Sequence, residues 1–273
     1  MAQKTSVVVT GGASGIGLGI TRHLLAKPET HVTILDVNPA TSVNTLGLLS
    51  TEFPAASISF EQCDVSSWES QAAVFKKVYT ERGRIDVVFA NAGISERGNL
   101  LPEEDVDEPS KPDLATLNVN FIGVIYSVRL SIFYMSKNAG SGSTSNGLIV
   151  CTASNAGLYP FPVAPMYGAT KAGVVNLVRS LEQHLAPKKI RINALAPSVI
   201  ETNIAASADL FKAMILTPMS TAINSVAQFI EDESLSGKIA ELHGEHVTFA
   251  EPPDFVDEDT RKNLQSFWNL GHA

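Results

Sequence analysis

The sequence is short of cysteine, of positive charge and of long apolar runs. Its only cysteines are Cys63 and Cys151, each at the end of an apolar, β-rich run. Two cysteines cannot make a disulfide framework and are too few for a zinc site. Both read as buried thiols of a reducing compartment, and no metal is expected. Lysine and arginine number 20 against 28 acids, a net charge of −8, and no basic block stands out. Nucleic acid demands phosphate neutralisation, so DNA and RNA are not expected partners. Arg129 interrupts the longest apolar stretch, Val119–Met135, and with no clean run of about 20 apolar residues no membrane span is expected. No apolar leader precedes the first strand, which makes the cytoplasm the expected location.

What is present is an alternation. Apolar runs at Thr5–Val9, His31–Leu35, Ser57–Gln62, Ile85–Ala90, Gly147–Cys151, Ile190–Leu195 and Lys238–Leu242 read as seven strands. Between them, Ile16–Lys27, Asn38–Glu52, Trp68–Arg82, Asp113–Asn138, Pro165–Leu185 and Ser220–Glu231 read as helices. Short Val- and Ile-rich runs suit parallel strands buried on both faces, and the alternation gives right-handed βαβ units. The fold expected is α/β: a single-domain, Rossmann-type, doubly wound parallel sheet of seven strands with helices on both faces. It spans residues 1–250, and 251–273 form a C-terminal extension. The 44% hydrophobic content of 273 residues suffices for one large core. Ser95–Pro112 (acidic, with Pro102, Pro109 and Pro112) and Asn138–Gly147 read as loops.

Thr10-Gly11-Gly12-Ala13-Ser14-Gly15-Ile16-Gly17 joins the first strand to the first helix. Glycines there let the backbone turn tightly and approach a pyrophosphate, while the helix N-terminus offers free N–H groups. Asp36, about twenty residues on, closes the second strand, where a carboxylate accepts from an adenosine ribose and repels a 2′-phosphate. Val37 beside it offers that phosphate nothing, so NAD is the cofactor expected. Asp64-Val65 and Asn91-Ala92-Gly93 follow the third and fourth strands, at the sheet edge where such folds bind ligands.

Tyr167 and Lys171 stand at i and i+4 of one predicted helix and so share a face. A free phenol with a pKa near 10 is only about 0.1% ionised at neutral pH. A general base needs a pKa nearer the working pH, and an adjacent ammonium favours phenolate. Lys171 is thus expected to lower the Tyr167 phenol. Ser154, just past the fifth strand, can hold a substrate oxygen beside the phenol. Asn120 stands inside a predicted helix, where its amide can bind water or backbone and distort the helix. Each residue also has a plain alternative, a surface pair, a turn serine or a tolerated interior asparagine.

Taken together and in this order, Thr10–Gly17, Asn91-Ala92-Gly93, Asn120, Ser154 and Tyr167-x-x-x-Lys171 resemble the signature set of the short-chain dehydrogenase/reductase family, over about Thr5 to Phe249. The resemblance implies a catalytic tetrad of Asn120, Ser154, Tyr167 and Lys171. In it Lys171 also bonds the nicotinamide ribose and Asn120 positions a relay water. It further implies that Pro197, Ile200 and Thr202 belong to the nicotinamide-binding stretch, in which Ser198 replaces the usual glycine. Tyr134-Met135-Ser136-Lys137, Arg191–Ala194 and Ile230–Gly237 look most like the branch of NAD-dependent 15-hydroxyprostaglandin dehydrogenase and its fungal relatives. Ala164 replaces that branch's substrate-contacting glutamine, which argues against a prostaglandin substrate. The function expected is interconversion of a secondary alcohol and a ketone on a hydrophobic small molecule such as a terpenoid, steroid, polyketide or oxylipin. A non-redox isomerase, epimerase or lyase, and a non-catalytic NAD-binding scaffold, are the alternatives. The apolar helices Asp113–Asn138 and Pro165–Leu185 suggest a homodimer, with a tetramer as its extension. The aromatic tail is expected to dock over the cleft or on a partner, and Ala205–Thr217 to line the pocket.

Overall fold

The computed structural model describes residues 4–98, 100–101, 107–138, 145–202, 204 and 208–271, with the backbone alone for 208–210. Pro102, residues 139–144 of the second expected loop, and residues 205–207 of the expected pocket segment lie outside the described residues.

The strands are β1 (Thr5–Thr10), β2 (Thr30–Asp36), β3 (Ser57–Gln62), β4 (Val87–Ala90), β5 (Gly147–Thr152), β6 (Ile190–Pro197), β7 (Ile239–His243) and β8 (His246–Phe249). They form one sheet ordered β3-β2-β1-β4-β5-β6-β7-β8. β1 to β7 are parallel, and β8 pairs antiparallel with β7. The expected count of seven is therefore corrected to eight among the described residues. β8 follows a two-residue turn in which Gly244 takes φ +54°, and His243 pairs with His246. Its four residues alternate exposed and half-buried, as an edge strand does.

The helices are α1 (Gly15–Leu25), α2 (Pro39–Glu52), α3 (Trp68–Arg82), α4 (Ala115–Leu117), α5 (Gly123–Met135), α6 (Pro165–Leu185), α7 (Met219–Glu231) and α8 (Glu258–Leu270). Strand parity splits the core in two. Val8, Val88, Ile149 and Ile192 face α3, α5 and α6, meeting Phe75, Val128, Val174 and Val178. Val7, Val9, Leu148 and Val150 face α1, α2 and α7, meeting Ile20, Leu49, Val226 and Phe229. Each such side chain contributes roughly 1.5–3 kcal/mol on burial. The two layers make the sheet doubly wound.

Three expectations are refined here. α4 and α5 join through a π-helical turn at Asn118–Ile122 into one helix, Ala115–Met135, which is by length and composition apolar enough to cross a membrane. Its Val124, Val128, Leu130 and Met135 instead belong to the sheet's core. Both cysteines are free and buried; burial raises both thiols, Cys151 to about 12, so they stay protonated at neutral pH. The tail does not cover the cleft. It forms α8, which has no buried residue, and Trp268 meets the ring of His184 at 4.6 Å between centroids. His184 lies near the far end of α6, about 25 Å along the axis from Tyr167 at 1.5 Å per residue.

Candidate active site

The strand order reverses between β1 and β4, and a cleft of about 510 Å³ opens at the carboxyl ends of the strands there. This is where open α/β sheets bind ligands. Hydrogen bonds gather the strand ends. The Thr10 hydroxyl accepts from the backbone N–H groups of Asn91 and Ala92 at 2.9 and 3.0 Å. The Asn91 amide donates to the Thr10 carbonyl at 3.1 Å and accepts from the Thr152 hydroxyl at 3.0 Å. β1, β4 and β5 are thereby stitched at the floor of the cleft.

At one end lies the glycine-rich loop. Gly11 takes φ +64°, and a Cβ there would stand 2.9 Å from Ala92 Cα. A Cβ on Gly17 would stand 2.2 Å from the Gly11 carbonyl oxygen. Gly17 is packed behind the loop, whereas Gly11, Ser14, Gly15 and Ile16 line the cleft. Ser14 precedes α1 without capping it through its side chain, and the first turn of α1 carries no acid. Its amides are thus open to an anion. Asp36 ends β2 beside the loop, with Oδ2 3.4 Å from the Ala13 N–H and Oδ1 accepting from Asn38 N–H at 3.2 Å. Val37, Asp64, Val65, Asn91, Ala92 and Gly93 complete this wall. Lining by Leu35, Cys63, Ser66 and Ala153 was not foreseen. All four adjoin carboxyl ends of strands, the signal that could have found them.

At the other end, Ser154, Tyr167 and Lys171 line the cleft together; Pro197 and Ile200 border it from the end of β6 onward, and Thr202 reaches back to the glycine-rich loop, where a Cβ on Gly15 would stand 3.4 Å from it. Ser154 Oγ accepts from Ala156 N–H at 3.1 Å and lies within reach of the Asn155 amide oxygen at 3.3 Å and the Pro197 carbonyl at 3.4 Å. Ser198 sits without strain, since its φ is not positive, and its hydroxyl meets the Asn155 amide nitrogen at 3.4 Å. Lys171 Nζ donates to the Thr152 carbonyl at 2.8 Å and lies 5.5 Å from the Tyr167 ring centroid.

Asn120 is fully buried on the π-helical turn and does not line the cleft among its described residues. Its amide brackets the Ile94 backbone, accepting from the N–H and donating to the carbonyl, both at 2.8 Å. A Cβ on Gly93 would be 3.4 Å from Asn120 Oδ1 and 3.6 Å from Lys171 Nζ. Asn120 therefore stands just behind the lysine. One expectation is reversed here. Burial pushes the Tyr167 phenol up, opposed by a hydrogen bond from Ser154, and Lys171 does not lower it. Desolvation sets the direction, and the Lys171 ammonium spends a proton on the Thr152 carbonyl.

Burial also holds the Lys171 ammonium down at about 8. A lysine depressed from 10.5 costs the folded chain roughly 3 kcal/mol while it is charged, below that pH. The cost fades as pH rises from about 8 towards 10.5, where the unfolded chain still binds the proton. Lys171→Met is therefore expected to raise the melting temperature of the ligand-free protein by a few degrees at neutral pH, while turnover is lost. Differential scanning fluorimetry checks the first half, and a lower melting temperature would refute it.

A doubly wound sheet with a glycine-lined, anion-ready cleft at its switch point, and Ser, Tyr and Lys converging on it, defines a nucleotide-dependent oxidoreductase architecture. The family model for short chain dehydrogenase matches residues 5–212. The chain belongs to the short-chain dehydrogenase family and is an enzyme of that dehydrogenase/ketoreductase type. It is 31% identical over 86% of its length to the short-chain dehydrogenase/reductase prx7 of Penicillium rubens, of which it covers 84%. It is 31% identical over 93% of its length to the human 15-hydroxyprostaglandin dehydrogenase [NAD(+)], of which it covers 94%. Among solved structures, levodione reductase superposes with a TM-score of 0.73 at 23% identity, over 88% of this chain and 96% of that one. At that identity the likeness speaks for the fold.

Proposed function

We propose that the protein interconverts a secondary alcohol and a ketone on an apolar small molecule, with NAD as cofactor. The observation that carries this reading is that Ser154, Tyr167 and Lys171 share one cleft with the glycine-rich loop and Asp36. The human relative's name specifies NAD(+). The residues present fit that group. Gly11, Gly15 and the open amides of α1 would face its pyrophosphate, Asp36 its adenosine ribose, and Lys171 its nicotinamide ribose. Pro197, Ile200 and Thr202 would border the nicotinamide. Bound NAD would supply the two-electron chemistry, as hydride acceptor for alcohol oxidation and, in its reduced form, as donor for ketone reduction. The chain supplies the proton chemistry and the orientation. Ser154 holds the substrate oxygen, and Tyr167 takes its proton during oxidation and returns one during reduction, with Lys171 fixed beside it by the Thr152 carbonyl. Asn120 keeps one further donor and one further acceptor site on its amide for a relay water.

Apolar side chains border the cleft. Ile94, Val119 and Ile204 line the cleft, and exposed Phe161 lies 6.2 Å from the Tyr167 ring between centroids. The test is a panel of apolar secondary alcohols with NAD⁺, and the matching ketones with NADH, followed by NADH absorbance. A substrate transformed with no net change in NADH would replace this reading with a non-redox one. No transformation at all, with NADH bound, would leave a scaffold.

The working form proposed is a homodimer in a reducing, cytoplasmic compartment, where two free buried thiols persist. Supporting the dimer, α6 turns Ala169, Ala172, Asn176 and Ser180 outward, and Phe133 of α5 is 49% exposed. Small residues let a second helix approach closely. Light scattering at micromolar concentration is expected to give twice the chain mass. A monomer would refute the dimer, and a tetramer would extend it.

A further inference from the structure

α6 carries Tyr167 in its first turn, and that turn has an unusual way of satisfying its amides. Helix N-terminal N–H groups lack intrahelical partners. Pro165, the first residue of α6, has no N–H. Gly168 N–H already reaches the Ala164 carbonyl at 3.0 Å. That leaves the amides of Met166 and Tyr167. Ala164, at the cap position, has only a methyl group and makes no side-chain bond to them. Both amides go instead to one carboxylate from a distant segment. Glu96 Oε1 accepts from Met166 N–H at 3.1 Å, and Oε2 accepts from Tyr167 N–H at 2.5 Å.

The segment that carries Glu96 is anchored on its other side. Both backbone groups of Ile94 are held by the Asn120 amide. The Thr116 hydroxyl donates to the Ser95 carbonyl at 3.1 Å and accepts from Arg97 N–H at 2.7 Å. Four consecutive residues thus fasten the helix bearing Asn120 to the helix bearing Tyr167. A negative carboxylate at a helix N-terminus is also the favourable sign for the helix dipole.

We propose that Glu96 is a positioning residue for the reaction: its bidentate clamp ties the backbone of Tyr167 to the segment gripped by Asn120, so that base and amide are held as one unit. The proposal rests on the alcohol–ketone chemistry assigned above. Displacing a reacting group by about 1 Å can cost on the order of 10²-fold in rate, so a clamp on the base's own backbone acts on kcat.

The test uses Glu96→Ala, which removes both acceptors, and the isosteric Glu96→Gln, which keeps one. Two readouts are taken. The first needs no substrate: amide hydrogen exchange at Met166 and Tyr167 by NMR, in the presence of NADH. First-turn amides have no helical protection, so their protection reports the clamp. Exchange at both is expected to quicken by about tenfold or more in Glu96→Ala, and at one of them in Glu96→Gln. The second is steady-state kinetics on whichever secondary alcohol the parent oxidises. The expected result is a kcat lower by roughly fivefold or more in Glu96→Ala and intermediate in Glu96→Gln, with the NADH Kd within about twofold of the parent. If the alanine variant does not fold, the glutamine variant decides on the same two readouts. Unchanged exchange would overturn the clamp. Faster exchange with parental kcat, or a kcat loss matched by an equal loss of NADH affinity, would reduce Glu96 to a structural cap. A parent that turns over no alcohol would defeat the assigned chemistry, and the positioning role with it, while the exchange data still judge the clamp.

Discussion

Tyr167→Phe is expected to lower kcat by about 10² or more while NADH binding stays within about twofold of the parent. The phenol is the one group in the cleft that pairs a titratable O–H with a hydrogen bond from Ser154. Phenylalanine keeps the ring, and so its packing 6.2 Å from Phe161, but removes the proton carrier. The pH dependence has a definite sign. Burial favours the neutral phenol, so alcohol oxidation, which needs the base, is expected to rise with pH through the phenol's titration. Ketone reduction, which needs the acid, is expected to fall over the same range. Positive charge brought by oxidised cofactor would favour phenolate and move that limb to lower pH. Steady-state rates across pH, with NADH fluorescence titration as the binding control, check both points. Near-normal turnover in the phenylalanine variant would remove Tyr167 from the chemistry.

A preference for NAD over NADP of at least about tenfold in kcat/KM, about 1.4 kcal/mol, is the second large effect expected. Asp36 stands at the end of β2 with its carboxylate already drawing on the Ala13 and Asn38 amides. A 2′-phosphate placed there would meet like charge. Val37 is 61% exposed and apolar. Among the described residues that line the cleft Lys171 is the one lysine or arginine, and it stands at the chemical end. Nothing nearby compensates the repulsion. Asp36→Ala is expected to narrow the ratio by weakening NAD and relieving NADP. Equal efficiencies for the two cofactors in the parent, or an unchanged ratio in the variant, would show that Asp36 does not set the choice.

Much of this molecule was legible because its signals are local. Parallel strands buried on both faces must be largely apolar, so the central strands β1, β2, β4 and β5 stood out as short Val- and Ile-rich runs. The turn from β1 into α1 demands positive φ and close backbone approach, as Gly11 at +64° and Gly15 at +51° show, and only glycine meets both needs cheaply. The pairing of Tyr167 with Lys171 follows from helix periodicity alone. β8 was missed because His243-Gly244-Glu245-His246 looks like a polar break, and a four-residue edge strand need be apolar on one side only. The aromatic tail suggested docking over the cleft or on a partner, because its side chains are costly to leave in water. Chain geometry instead leads it to the far end of α6, where Trp268 meets His184.

The sequence by itself therefore determined the class of fold, the placing of the cofactor groups at the carboxyl ends of strands and the identity of the groups gathered there. All of these follow from periodicity, turn chemistry and the alternation of strands and helices along neighbouring stretches of chain. Only the tertiary structure decided the electrostatic state of those groups and their supports. Whether Tyr167 is raised or lowered depends on how much water the folded chain removes against the hydrogen bond that Ser154 supplies. The carboxylate of Glu96 reaches the Tyr167 amide across a sequence separation of 71 residues. Desolvation and contacts between distant segments are properties of the packed chain, and no local pattern of residues encodes them.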